Sequence, residues 1–259
     1  MPEKRNEEAK VIAVCGKGGV GKTSVSSMIA KVLLAQGRGR VLAIDADPAV
    51  GLSTALGVEI RKTLDDIRKD LISLLHEESV RDQREILAHL DYEIFNALEE
   101  QENLAFLAIG RPEDEGCYCQ INSLLREIIA SFSNEFEYVV IDGEAGIEQI
   151  NRRVMEKVTH LVLVSDPSVK GLGVVKSIKS ISDSLMCYEA AGLILNKVRE
   201  QAEFERLSLP EEVPCLGWIP ESDLIRGLDM EGRSILEIPD AFPVSDAMRH
   251  CMGNLGLLN

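Results

Sequence analysis

Nowhere does this sequence hold an uninterrupted apolar run near the ~20 residues that cross a bilayer, so no membrane-embedded segment is expected. Positive charge is also scarce. Lys and Arg number 28 against 43 Asp and Glu, a net charge of −15. No Lys/Arg cluster supplies the ~6–10 phosphate contacts that a duplex-binding surface uses, which argues against a nucleic-acid partner. The opening residues, MPEKRNEEAK, lack the apolar core of a secretory signal, and the expected location is cytoplasmic. No linker, low-complexity tract or internal repeat divides the chain. Residues 1–259 are therefore read as one domain, with a charged extension at 1–9. His76, His89, His160 and His250 fall at no ligand spacing, with one another or with the cysteines, and read as surface or packing residues. Cys15, Cys187, Cys215 and Cys251 sit in or beside apolar segments and read as small buried hydrophobes.

With 259 residues and 45% hydrophobic content, the chain can bury the core of one large α/β domain. Its organising stretch is VIAVCGKGGVGKTS, Val11 to Ser24. Val11 to Val14 is an apolar run of strand type, and Gly16 to Thr23 fits G-x-x-x-x-G-K-[ST]. The segment SVSSMIAKVLLAQG then repeats apolar residues at helical spacing: Val25, Met28, Ile29, Val32 and Leu33. Strand, glycine-rich turn and helix are the context of a phosphate-binding loop. Gly16, Lys17, Gly18, Gly19, Val20, Gly21, Lys22, Thr23 and Ser24 are expected to hold ATP. The glycines let backbone N–H groups curl around an anion, and the helix N-terminus adds about half a positive charge. Lys22 can reach the terminal phosphates, and the Thr23 hydroxyl can bind Mg²⁺.

Further along, RVLAI (40–44) reads as a second strand leading into Asp45-Ala46-Asp47-Pro48, with both carboxylates expected just past its end. Residues 63–100 are helical in period and heavily charged. LAFLAI (104–109) is a third strand, followed by GRPEDEGCYCQ and a helix over 121–132. YVVI (138–141) runs into Asp142-Gly143-Glu144-Ala145-Gly146, and HLVLVS (160–165) is a fifth strand. A helix over 172–185, a strand over 191–195 leading into Asn196-Lys197, a strand over 213–219 and a helix over 244–255 complete the chain. This alternation predicts a mostly parallel sheet of about seven to eight strands with helices on both faces. A carboxylate after YVVI, Asp142, can hold Mg²⁺ through water in the Walker-B manner. Asp47 lies beyond a strand end and can swing with the loop; it is expected at the Mg²⁺ with Thr23 and Asp142 and is the candidate to orient the attacking water.

Cys117 and Cys119 form a different kind of pair. On a helix, residues i and i+2 diverge by ~200°. In extended chain they share a face, about 6–7 Å apart. Two thiolates are too few for a stable site, but a two-fold dimer doubles them. Tetrahedral S₄ suits Zn²⁺ and square-planar S₄ suits Ni²⁺. Two unpaired thiols remain an open alternative, as does a local disulfide, which the cytosol disfavours.

The second lysine of GKGGVGKT, Lys17, resembles the deviant Walker A motif of the MinD/ParA/nitrogenase-iron-protein family of P-loop ATPases. The resemblance implies a homodimer with two ATPs at its interface, Lys17 reaching the partner's phosphates as an arginine finger does. It also implies Asn196 on the adenine, with backbone around Ile219, Pro220 and Glu221 closing that pocket. Taken together, GKGGVGKT, DADP, GRPEDEGCYC and DGEAGIEQINRR resemble the CooC-type nickel-insertion ATPases that mature carbon monoxide dehydrogenase, with the AcsF-type proteins of acetyl-CoA synthase close by. That resemblance implies Cys117 and Cys119 as nickel (or zinc) ligands of two subunits and Gly143, Glu144, Ala145 and Gly146 as switch II. It implies a nickel carbon monoxide dehydrogenase or acetyl-CoA synthase as client. The chain departs from the pattern in its N-terminal extension and in the acidic Asp114-Glu115 ahead of the cysteines. A nitrogenase-iron-protein-like [4Fe–4S] electron donor is the alternative, but that group's ligand cysteines are widely spaced rather than C-x-C. A MinD-like membrane anchor would need a basic amphipathic helix. The tail SDAMRHCMGNLGLLN has one arginine and two glycines, so no stable membrane anchor is expected.

Overall fold

The computed structural model describes residues 8–47, 49–76, 83–110, 127, 129–131, 133–143, 157–185 and 187–258. Cys117, Cys119, Glu144, Ala145, Gly146 and most of the expected helix over 121–132 lie outside the described residues.

Eight strands make one sheet: β1 (Lys10–Gly16), β2 (Val41–Asp45), β3 (Glu99–Gln101), β4 (Leu104–Ala108), β5 (Tyr138–Asp142), β6 (His160–Ser165), β7 (Ala190–Val198) and β8 (Cys215–Pro220). Their order is β3-β4-β2-β5-β1-β6-β7-β8, all parallel except the antiparallel β3–β4 pair. The central strands β1, β2, β5 and β6 read as nearly unbroken apolar runs because both faces are covered. Val11, Ala13 and Cys15 pack on one side with Leu42, Ile44, Ile141 and Leu163. Ile12 and Val14 pack on the other with Ala43, Val140 and Val164. Helices α1 (Lys22–Ala35), α2 (Gly51–Leu56) and α8 (Pro243–Asn254) cover the second side; α3 (Leu64–His76), α4 (Gln83–Ala97) and α5 (Val169–Leu185) cover the first. The short α6 (Gln201–Glu205) and α7 (Asp223–Glu231) follow β7 and β8. In α1 the buried residues include Val25, Met28, Ile29, Val32 and Leu33, the apolar stripe expected from their spacing. No helix among the described residues is long and apolar enough to cross a membrane.

The sheet differs from expectation at one edge. The helical period does not run through residue 100: Glu99–Gln101 turn back as β3 against β4. The turn between them passes through Glu102 at φ 48°, a left-handed conformation with no glycine or asparagine at that position to announce it. Glu99 is drawn inward by the Arg61 guanidinium, which binds it through Nε at 2.7 Å. Cys187 is also corrected. It follows α5 and is exposed, whereas Cys15 and Cys251 are buried as expected.

Candidate active site

The carboxyl ends of β1, β2, β5, β6 and β7 lie along one edge of the sheet, the edge where open α/β sheets bind ligands. The β1 chain leaves the sheet at Gly16, where a Cβ would run into the Val164 carbonyl oxygen of β6. The loop then passes through Lys17 to Gly21. Gly21 has φ 90°, and a Cβ there would meet the Asn196 amide. Helix α1 starts at the next residue with no side-chain cap and no acidic residue in its first turn. Its orphan N–H groups and positive dipole end are thus left for an anion. A Gly21→Ala variant should lose ATP affinity by at least about tenfold, because a left-handed L-residue is strained by ~1–2 kcal/mol and its methyl displaces Asn196. Calorimetric titration with Mg–ATP checks this.

Asp142 ends β5 almost wholly buried. The Thr23 hydroxyl donates to its Oδ2 at 2.7 Å and the Ser26 hydroxyl to its Oδ1 at 3.0 Å. Lys22, itself buried, contributes a positive charge beside it. Asp45 stands in register with Asp142 on neighbouring β2. This corrects the expectation that both DADP carboxylates lie past the strand: Asp45 is the last residue of β2 and fully buried. Its Oδ2 accepts the Leu52 N–H at 2.8 Å and its Oδ1 the Asp47 N–H at 3.0 Å, so it ties α2 and the intervening loop to the sheet. Asp47 does lie past the strand end, half-buried, with Oδ1 accepting the Ala49 N–H at 2.9 Å.

Burial pushes the Asp45 carboxyl up to about 7, against the Leu52 N–H that favours its ionised form and with the help of Asp142. Burial likewise pushes Asp142 up to about 6, opposed by the Thr23 and Ser26 hydroxyls and by Lys22, and assisted by Asp47. The oxygens here (Thr23 hydroxyl, Asp142 and Asp47 carboxylates) are hard donors of the kind Mg²⁺ takes. Among the described residues no three His, Cys, Asp or Glu side chains converge as a finished metal cage. One consequence concerns pH. Both folded-state values lie above the unfolded aspartate value of 3.8, so these two carboxyls hold more protons in the folded than in the unfolded chain between those limits. Their contribution to the stability of the ligand-free protein should therefore fall as pH rises from about 4 to about 7, and Asp45→Asn should lose its share of that fall. Mg–ATP should flatten that slope, which melting curves at stepped pH will show.

Lys17 sits half-buried in the loop and makes no side-chain hydrogen bond or ion pair with the described residues. Asn196 is buried and donates its amide N–H to the Val20 carbonyl at 2.9 Å. Lys197 Nζ donates to the Gly19 carbonyl at 2.9 Å. Pro220 closes β8, and the Glu221 N–H donates to the Val198 carbonyl at 2.9 Å, which brings the ends of β7 and β8 together. The Gly143 N–H donates to the Val14 carbonyl at 3.1 Å, so the segment after β5 starts from the base of the phosphate loop. Sequence reasoning missed Asp45, Ser26 and Lys197 as parts of the site. Ser26 was within reach, since i and i+3 share a helix face with Thr23. Asp45 was not, because its partner Asp142 arrives on a strand inserted between β1 and β2.

The sequence profile of the CobQ/CobB/MinD/ParA nucleotide binding domain matches residues 11–235. The chain belongs to that family. An uncharacterised ATP-binding protein of Methanocaldococcus jannaschii is 35% identical over 89% of this chain and 92% of its own. The carbon monoxide dehydrogenase accessory protein CooC of Rhodospirillum rubrum is 29% identical over 89% of this chain and 90% of its own. In fold, the Pyrococcus furiosus cell division ATPase MinD superposes with a TM-score of 0.67, covering 96% of this chain and 98% of its own at 22% identity. The family is one of ATP-binding P-loop domains, and the loop between β1 and α1 carries the G-x-x-x-x-G-K-[ST] motif.

Proposed function

We propose that this chain is a Mg²⁺-dependent ATPase that works as a nickel metallochaperone, a homodimer delivering Ni²⁺ to a carbon monoxide dehydrogenase or acetyl-CoA synthase. The observation that carries the ATPase reading is the Thr23–Asp142 hydrogen bond at the mouth of an uncapped helix. What supports the nickel reading is the likeness to a carbon monoxide dehydrogenase accessory protein across 89% of the chain, together with the Cys117-Tyr118-Cys119 motif.

The phosphates of ATP rest on the loop N–H groups of Gly16 to Thr23, and Lys22 faces the terminal ones. Thr23 and Asp142 would hold Mg²⁺, with Asp47 beside it, and the bound ion would neutralise phosphate charge. Asp47 orients the water that attacks the γ-phosphorus, the bond to the bridging oxygen breaks, and ADP and phosphate leave. Lys17 of each subunit stabilises the charge developing in the other. Asn196, Pro220 and Glu221 border the adenine. Nucleotide clamped between two chains sets how closely their Cys117 and Cys119 approach, and hydrolysis relaxes the segments at Asp47 and Gly143 to Gly146. Nickel affinity should then differ between the ADP state and a state held by a non-hydrolysable ATP analogue. Equal affinities in a competition titration would remove the coupling.

A further inference from the structure

We propose that Asn196 and Lys197 form a clamp that presets the phosphate loop for its anion, with Lys197 as a positioning residue for the triphosphate. Both side chains bind carbonyl oxygens of consecutive loop residues: Asn196 Nδ2 on Val20 and Lys197 Nζ on Gly19, each at 2.9 Å. A peptide unit is planar and trans, so its carbonyl and the following N–H point opposite ways. Pinning the Gly19 and Val20 oxygens toward β7 turns the Val20 and Gly21 N–H groups away from β7. Those are the donors immediately ahead of α1, and an anion at the helix start would meet them already aimed.

The backbone of β7 is distorted in the way this task requires. Neighbouring residues of a regular strand point to opposite faces, so two of them cannot reach one loop. The β7–β8 register shifts between Leu195 and Val198, an irregularity of the kind that re-aims side chains beside active sites. Within it Lys197 has φ 62°, one of three non-glycine residues in the left-handed region among those described. Such strain persists where the surroundings impose it. The opposing face is shaped to match, since Gly21 has no room for a Cβ beside the Asn196 amide. The Lys197 ammonium forms no ion pair with the described residues and is bonded to a loop carbonyl instead. It thus adds positive potential without occupying the anion's place.

The inference rests on the ATP-binding loop alone and is independent of the metal reading. Its test compares wild type, K197A, K197G and K197R by titration with Mg–ATP and with Mg–tripolyphosphate, alongside ATP turnover. K197A and K197G should both lose about tenfold in affinity for each ligand and raise the KM for ATP by a similar factor, and K197R should recover most of both. K197G retains the left-handed backbone without strain, so it separates the ammonium from the conformation, and it is the variant to read if K197A melts early. Wild-type tripolyphosphate affinity in K197G overturns the proposal. So does a loss confined to ATP, which would move Lys197 to the nucleoside, or a loss that K197R fails to restore. A wild type that binds ATP but not tripolyphosphate overturns it too, because preset donors hold phosphates without a nucleoside.

Discussion

Asp47→Ala should bind Mg–ATP within about threefold of wild type and hydrolyse it at least ~10²-fold more slowly, the usual range for loss of a group that handles the attacking water's proton. The argument is one of position. Asp47 stands past the end of β2, and among the described residues its Oδ1 accepts the local Ala49 N–H. It does not hold Thr23 or Ser26, which belong to Asp142. Removing it leaves the phosphate loop and its metal-facing pair intact. Yet its charge is felt at both Asp45 and Asp142, so it lies close to that carboxylate pair. Asp142→Ala is the contrast. It strips two hydroxyls of their acceptor, and Mg²⁺-dependent binding should weaken along with turnover. Phosphate release at saturating ATP, paired with calorimetric titration, separates the two. On the proposed dimer, gel filtration of Asp47→Ala with ATP should also show a longer-lived dimer, because the nucleotide between the subunits would no longer be consumed. Turnover equal to wild type would take Asp47 out of the mechanism.

The second large effect is expected at the cysteines. Wild type purified with NiCl₂ should carry about one nickel per dimer, and Cys117→Ser/Cys119→Ser should carry none, since four thiolates from two chains become none. ATP turnover of the double variant should stay within about twofold of wild type, because no cysteine takes part in phosphoryl transfer. Metal analysis across the gel-filtration peak, with and without ATP, reads both the stoichiometry and its dependence on nucleotide. Nickel retained by the double variant would end the assignment of Cys117 and Cys119. A brown wild-type protein with visible iron–sulfur absorbance would favour a [4Fe–4S] electron donor instead.

Much of this molecule was legible residue by residue. VIAV followed by GKGGVGKTS gave away strand, loop and helix because each part answers to local chemistry: an apolar run buried on both faces, Gly16 and Gly21 where a Cβ has no room, and a helix stripe at Val25, Met28, Ile29, Val32 and Leu33. HLVLVS runs over the same six residues, 160–165, in sequence and in structure. The β3 hairpin was hidden because Glu102 takes up a left-handed turn that its residue type does not advertise. Asp45 was misplaced by one position, since an apolar run cannot say whether the carboxylate after it belongs to the strand.

The chain's own order of residues determined that a phosphate loop would exist, which strand and helix would carry it, and that Thr23, Asp47 and Asp142 were its acidic and hydroxyl candidates. Those are short-range matters, decided within a turn or two of backbone. Only the tertiary structure decided that β5 enters between β1 and β2, setting Asp142 beside Asp45, and that a distorted β7 delivers Asn196 and Lys197 to the loop's carbonyls. Those pairings join residues about a hundred or more positions apart, held together by burial of both sheet faces, a collective property that no local pattern encodes.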